Sequence, residues 1–217
     1  MNEPHRIRAA IGFVLSLGAA LALTWTDPGP KATLDQRLWS EALWWGATVA
    51  VLAYVLLVER RAPSSIGLRP MSWRDGLIAL AGAGLLIFNA IVVYLALFAV
   101  LILSISMSHV PNLMQMPRWY RAIMVVRLAV AGEILFRAAP IERAADALGG
   151  GGSGKWIGAG LSLAGFVAVT WSGWNPVESI ATGFAGAIVT GLYLWRRNAG
   201  VNMLARAVAL GAGYLLH

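Results

Sequence analysis

Charge is placed very unevenly along this chain, and that placement limits what it can fold into more than any other feature does. Seven apolar runs, Ala9–Trp25, Ala42–Val58, Gly76–Ile105, Ala122–Pro140, Trp156–Trp171, Ser179–Trp195 and Val201–Leu216, contain only Arg127, Glu133, Arg137 and Arg206 out of 17 Lys and Arg and 10 Asp and Glu. With 12% of its 217 residues charged and 59% hydrophobic, the chain holds about half the charge of an ordinary soluble domain, where ~25% is usual. A soluble enzyme is excluded because too little charge is left to solvate a surface. A disordered basic tail is excluded because such segments are poor in the Leu, Val and Trp found here. The expectation is an all-α, polytopic transmembrane helical bundle.

The runs have the length a membrane demands. A helix rises ~1.5 Å per residue and the hydrocarbon core is ~30 Å thick, so the runs of 16 or 17 residues lie near the lower limit. The third run is long enough to tilt, protrude or break, and Gly82, Gly84 and Asn89 mark where a break would fall. The count is therefore about seven spans, with an eighth left open. All 10 Trp lie within three residues of a run boundary, as expected of indoles seated at the headgroup level.

Lys and Arg in the loops orient the bundle. One side gathers Arg6, Arg8, Arg60, Arg61, Arg69, Arg74, Arg143, Lys155, Arg196 and Arg197, and the other only Lys31, Arg37, Arg118 and Arg121. By the positive-inside rule the N-terminus is cytoplasmic. The formal charge of +7 is thus a matter of topology and gives no reason to invoke nucleic acid. The first run is too long for a signal-peptide h-region, and no small-x-small cleavage site follows Trp25, so it reads as a helix. Small residues repeat every fourth position at Gly160, Ala164 and Ala168 and at Gly183, Ala187 and Gly191. Their expected use is helix packing within the chain, because small side chains let backbones approach in lipid.

Several motifs fail on inspection. Gly149–Gly154 followed by Lys155 imitates a phosphate-binding loop, but Trp156 stands where Ser or Thr must ligate magnesium, and no strand precedes the loop. The run reads as a flexible connector, natural or engineered. There is no Cys, and His5, His109 and His217 all lie outside the runs, so no metal site is expected. No cofactor is called for either. A nucleophilic serine would lack a base.

The four intramembrane charges remain. Each costs at least ~2.5–3.5 kcal/mol at the middle of a bilayer, so such groups are usually paired and functional. Glu133 and Arg137 are spaced i, i+4 on one helix face, and Arg206 is the other candidate partner for Glu133. Such a cluster either locks helices together or forms a ligand site, and with Arg127 nearby it would be net positive.

These residues have a familiar arrangement. Ala131-Gly-Glu-Ile-Leu-Phe-Arg137 resembles the Glu-Glu-x-x-x-Arg motif of the CPBP family, which includes CAAX-type prenyl endopeptidases and bacteriocin-processing or immunity (Abi) membrane proteins. Ser65-Ile-Gly-Leu-Arg69 with Ser72-Trp-Arg-Asp75 resembles the family's lead into a long helix. Phe166-Val-Ala-Val-Thr170 stands where the family has Phe-x-x-x-His. Gly191-Leu-Tyr-Leu-Trp195 and Asn202-Met-Leu-Ala-Arg206 resemble the closing segment that ends in His-x-x-x-Asn. The resemblance spans residues 64–217 and implies a CAAX-protease-like core behind an N-terminal two-helix segment, residues 1–63, in a bacterial cytoplasmic membrane.

It also implies a lost reaction. In active members the first Glu activates water with help from two His, while the Asn stabilises the oxyanion. Here those positions hold Gly132, Thr170, Arg206 and Leu210. Three functions follow as expectations. The first is a degenerate protein binding a peptide, lipid or membrane-protein partner in its intramembrane cavity through Arg127, Glu133, Arg137 and Arg206. The second is an active endopeptidase with a rearranged catalytic set of Glu133, Arg137 and Thr170. The third is a structural subunit of a larger membrane complex.

Overall fold

A computed structural model describes residues 3–26, 28–29, 32–100, 115–171 and 176–216. Its regular elements are all helical among the described residues: α1 Glu3–Trp25, α2 Leu34–Ala53, α3 Trp73–Val100, α4 Arg118–Glu133, α5 Ala139–Ala147, α6 Gly152–Trp171, α7 Pro176–Arg196 and α8 Ala199–Leu215. Three stretches are long and apolar enough to cross a membrane, Glu3–Trp25, Leu34–Val58 and Trp73–Val93. Shorter helices complete the bundle, α4 having 16 residues and α8 having 17.

Helix α4 and helix α5 form one central rod. The expected span Ala122–Pro140 continues to Ala147 because the helix does not stop at Pro140. Proline has no N–H to donate to the carbonyl four residues back, so the chain widens through a π-helical turn, Ile134–Ala138, in which the Ala139 N–H donates to the Ile134 carbonyl. Around this rod α1 packs along α5, α6 along α5 on another side, and α8 along α4, while α3 seals against α7 and α8. The N-terminal pair shares the central core: Ala20, Trp44, Val51 and Val55 pack with Ile134, Leu135 and Phe136.

Tertiary packing overrides several of the sequence expectations. The third helix runs unbroken from Trp73 to Val100, and Gly82 serves as a contact, since a Cβ there would lie 3.0 Å from Leu192. Residues 101–105 of that run lie outside the described residues. The small-residue stripes are used in packing only in part: nothing lies within 4 Å of a Cβ built on Gly160 or Gly191, while one on Gly183 would meet Val167 at 3.6 Å. The close approaches are at Gly158, whose Cβ would meet Ala144 at 2.7 Å and the Ile141 backbone at 3.1 Å, and at Gly186 against Phe166.

The glycine run is a built turn. Gly149 and Gly150 take left-handed φ of 97° and 80°, and Gly150 N–H donates to the Ala145 carbonyl at 2.7 Å, closing α5 in the αL manner that glycine permits. Gly154 then lets α6 start against the Ala145 backbone, 3.0 Å from its would-be Cβ. Finally, Trp44 is not an interfacial indole. It is buried against Phe136, whereas Trp25, Trp39, Trp73, Trp119, Trp156 and Trp195 are exposed. Trp171 and Trp174 lie outside the described side chains.

Arg143, expected as a loop charge, is wholly buried in α5. Glu59 lies 2.7 Å away and Asp146 2.9 Å away, and Ser65 accepts a hydrogen bond from it at 2.8 Å. Burial pushes the Glu59 carboxyl up from its ordinary range against the opposing pull of Arg143. This ionic knot ties the ends of α2 and α5 together.

Candidate functional site

The site forms where the central rod meets α8. Glu133 closes α4 and Arg137 sits in the π turn, a feature often found at functional sites. Arg137 Nη1 donates to Glu133 Oε1 at 3.0 Å and Arg206 Nη1 donates to the same oxygen at 2.8 Å. Asn202 Nδ2 donates to Glu133 Oε2 at 3.1 Å and to the Val189 carbonyl at 2.9 Å. One carboxylate thus accepts three hydrogen bonds from two helices. Both partners expected for Glu133 are present.

The surroundings are dry. Glu133, Arg137 and Asn202 are at most 1% exposed, and Arg206 is the more open of the two arginines, at 13% for its side chain. Arg137 Nε reaches Thr190 Oγ1 at 3.4 Å, and its guanidinium carbon lies 4.5 Å from the Phe166 ring centre, with that of Arg206 at 5.9 Å. An aromatic face between two cations offsets part of their mutual repulsion. The cluster still sums to two positive charges and one negative.

Arg127 does not belong to this group. Its Nε donates to both oxygens of Glu41, at 3.2 and 3.1 Å, and its guanidinium lies 5.2 Å from the Trp44 ring centre. Sequence reasoning missed Glu41, which stands one residue ahead of the run Ala42–Val58. Its signal was available, since an unpaired Arg127 inside a span demands an acid from a neighbouring helix. Asn202 was missed because it is uncharged. Its place one turn before Arg206 on α8 was the available clue.

Three of the four positions where the family resemblance expects catalytic groups come together. A Cβ on Gly132 would lie 3.2 Å from Arg206 Nη1, and Arg206 and Leu210 share the wall of one cavity. Thr170 falls in the last turn of α6, and its side chain lies outside the described residues. The cavity holds about 500 Å³ between α3, α7 and α8, within the usual size of a small-molecule site. Its sides are Leu86, Ile87, Ala90, Ala185, Val189 and Leu210, and Arg137, Arg206 and Phe166 line one end.

Fold and site together define a helical protein with membrane-length apolar helices and a buried, net-positive cluster at the end of an apolar cavity. No protein-family model matches the chain, nor does any curated protein or solved structure.

Proposed function

We propose that this chain is a multi-pass membrane protein of the CPBP type that has exchanged its hydrolytic apparatus for an anion-binding cluster, and that it acts by holding an anionic group of a partner molecule in its intramembrane cavity. The observation that carries the reading is the pair Arg137 and Arg206 at one end of an apolar cavity with Glu133 as their single shared counter-ion. A buried excess of positive charge is costly unless a ligand or counter-ion completes it. Gly132, Arg206 and Leu210 support the family reading by meeting at one place, and none of them is a base or an oxyanion donor of the family's kind. In this proposal the chain crosses a bacterial cytoplasmic membrane about seven times, with its N-terminus inside.

The hydrolytic alternative would need Glu133 to take a proton from water. A base must reach that water with a lone pair and a suitable proton affinity, whereas both Glu133 oxygens are already engaged by two arginines and an amide. The structural-subunit reading overlaps the proposal, since a cavity ligand can belong to another membrane protein.

Gentle detergent extraction of the full chain, followed by analysis of bound small molecules and lipids, tests the proposal. The expected result is an anionic amphiphile retained by the parent and absent from Arg206→Ala. Cleavage of a membrane-anchored peptide by the parent, lost in Glu133→Ala, would refute it.

A further inference from the structure

We propose that the cavity takes a single-chain monocarboxylate, a fatty-acid-like molecule with its carboxylate on Arg206 and its chain along the apolar walls. The inference rests on the anion-binding reading above and narrows it by charge, shape and length.

Charge selects one negative unit. Two guanidinium groups and one carboxylate leave a net charge of one positive. A monocarboxylate brings the buried cluster to neutrality, whereas a phosphate monoester carries about −1.5 to −2 near pH 7 and would leave the site negative in a low-dielectric surrounding. Geometry points the same way. Arg206 spends only Nη1 on Glu133, and among the described residues its Nε and Nη2 have no protein partner. An arginine fork with two donors on one side matches the two oxygens of a carboxylate.

The walls are apolar and suit an alkyl chain. The walls bring Leu86, Ile87 and Ala90 of α3 against Ala185 and Val189 of α7 and Leu210 of α8 around a volume of about 500 Å³. Length follows from α8, where the cavity lining runs from Arg206 to Tyr214. Eight residues at ~1.5 Å each make about 12 Å. An extended chain gains ~3.3–3.6 Å per three bonds, so about ten bonds fit, the size of a medium-chain acid. Asn89 and Thr182 supply polar groups among the remaining lining.

Native mass spectrometry of the purified full chain, titrated separately with decanoate, decanol and decyl phosphate, tests this directly. The expected result is one decanoate per chain, with decanol and decyl phosphate each bound at least tenfold more weakly. Arg206→Lys keeps the charge but loses the fork, and should weaken decanoate at least fivefold. Leu210→Trp adds bulk to the cavity wall and should displace decanoate altogether. Decanol binding as well as decanoate would overturn the proposal. So would acetate competing on equal terms, because the walls would then contribute nothing. Tighter binding of decyl phosphate would overturn the monocarboxylate assignment and leave the anion-binding reading standing. Unchanged decanoate binding in Gly132→Glu, which places a second acid beside Arg206, would bring down both.

Discussion

Replacing Glu133 by Gln removes one charge and almost no volume, so its effect reports on the ionic cluster rather than on packing. In the parent, Glu133 accepts charge-assisted hydrogen bonds from Arg137 at 3.0 Å and Arg206 at 2.8 Å, and a neutral one from Asn202 at 3.1 Å. A glutamine carbonyl at the Oε1 position keeps both arginine donors but as a neutral acceptor, so their charge is no longer offset. Its amide group then faces the Asn202 amide, donor against donor, and Asn202 can turn over only by giving up the Val189 carbonyl. Hydrogen bonds to charged groups contribute about 1.5–3 kcal/mol each, and removing one member of a buried ion pair costs about 3–5 kcal/mol because the partner stays charged and unpaired. Arg137 is at most 1% exposed, so about 3–5 kcal/mol is expected. The assay is reversible unfolding in mixed detergent micelles, with Glu133→Gln, Arg137→Gln and the double variant forming a cycle. A coupling energy of at least 2 kcal/mol, on the order set by buried pairs, should appear between positions 133 and 137. If Glu133→Gln stays within about 1 kcal/mol of the parent, the range typical of solvated surface pairs, the cluster is not the dry, interlocked unit described here.

Three further outcomes follow from the same structure. Gly132→Glu places a second acid beside Arg206, whose Nη1 lies 3.2 Å from the would-be Cβ; it should neutralise the cluster and abolish binding of anionic amphiphiles, measured by ligand retention after purification. Gly158→Ala should destabilise by about 1–3 kcal/mol, since its methyl would press on the Ile141 backbone. Gly160→Ala, in open space, should gain up to about 1 kcal/mol of helix propensity, and equal effects at the two positions would refute the packing assignment. Arg60 is an exposed residue held at a φ of 55°, a conformation costing a non-glycine residue ~1–2 kcal/mol. Arg60→Gly should therefore raise the unfolding midpoint, whereas Arg197→Gly, at a φ of 50°, should gain less because it also gives up the pair with Glu142 at 3.0 Å.

An all-helical chain with membrane-length apolar helices, and the pairings at the core of the buried charge cluster, were legible in the sequence. Charge kept out of long apolar runs is legible without a fold, because its cause is the solvent rather than any neighbour. The pairing of Glu133 with Arg137 was legible for a similar reason: helical spacing alone puts those two within reach. Arg206 could be named as a partner because a lone acid and an unpaired cation in apolar runs have few other choices.

Only the tertiary structure decided which charges share a site. Arg127 lies in the same apolar run as Glu133, yet α2 delivers Glu41 to it and withdraws it from the cluster. The π turn before Pro140 carried the fourth helix on into α5 and buried Arg143, which sequence position made a loop charge. The glycines told the same story: the regular stripe at Gly160 faces outward, while Gly158, two residues earlier and in no stripe, meets Ala144 and the Ile141 backbone at close range. The physical reason is common to all three. Spacing along one helix fixes which residues share a face, but the partner of that face comes from another part of the chain, and its register depends on how the helices pack.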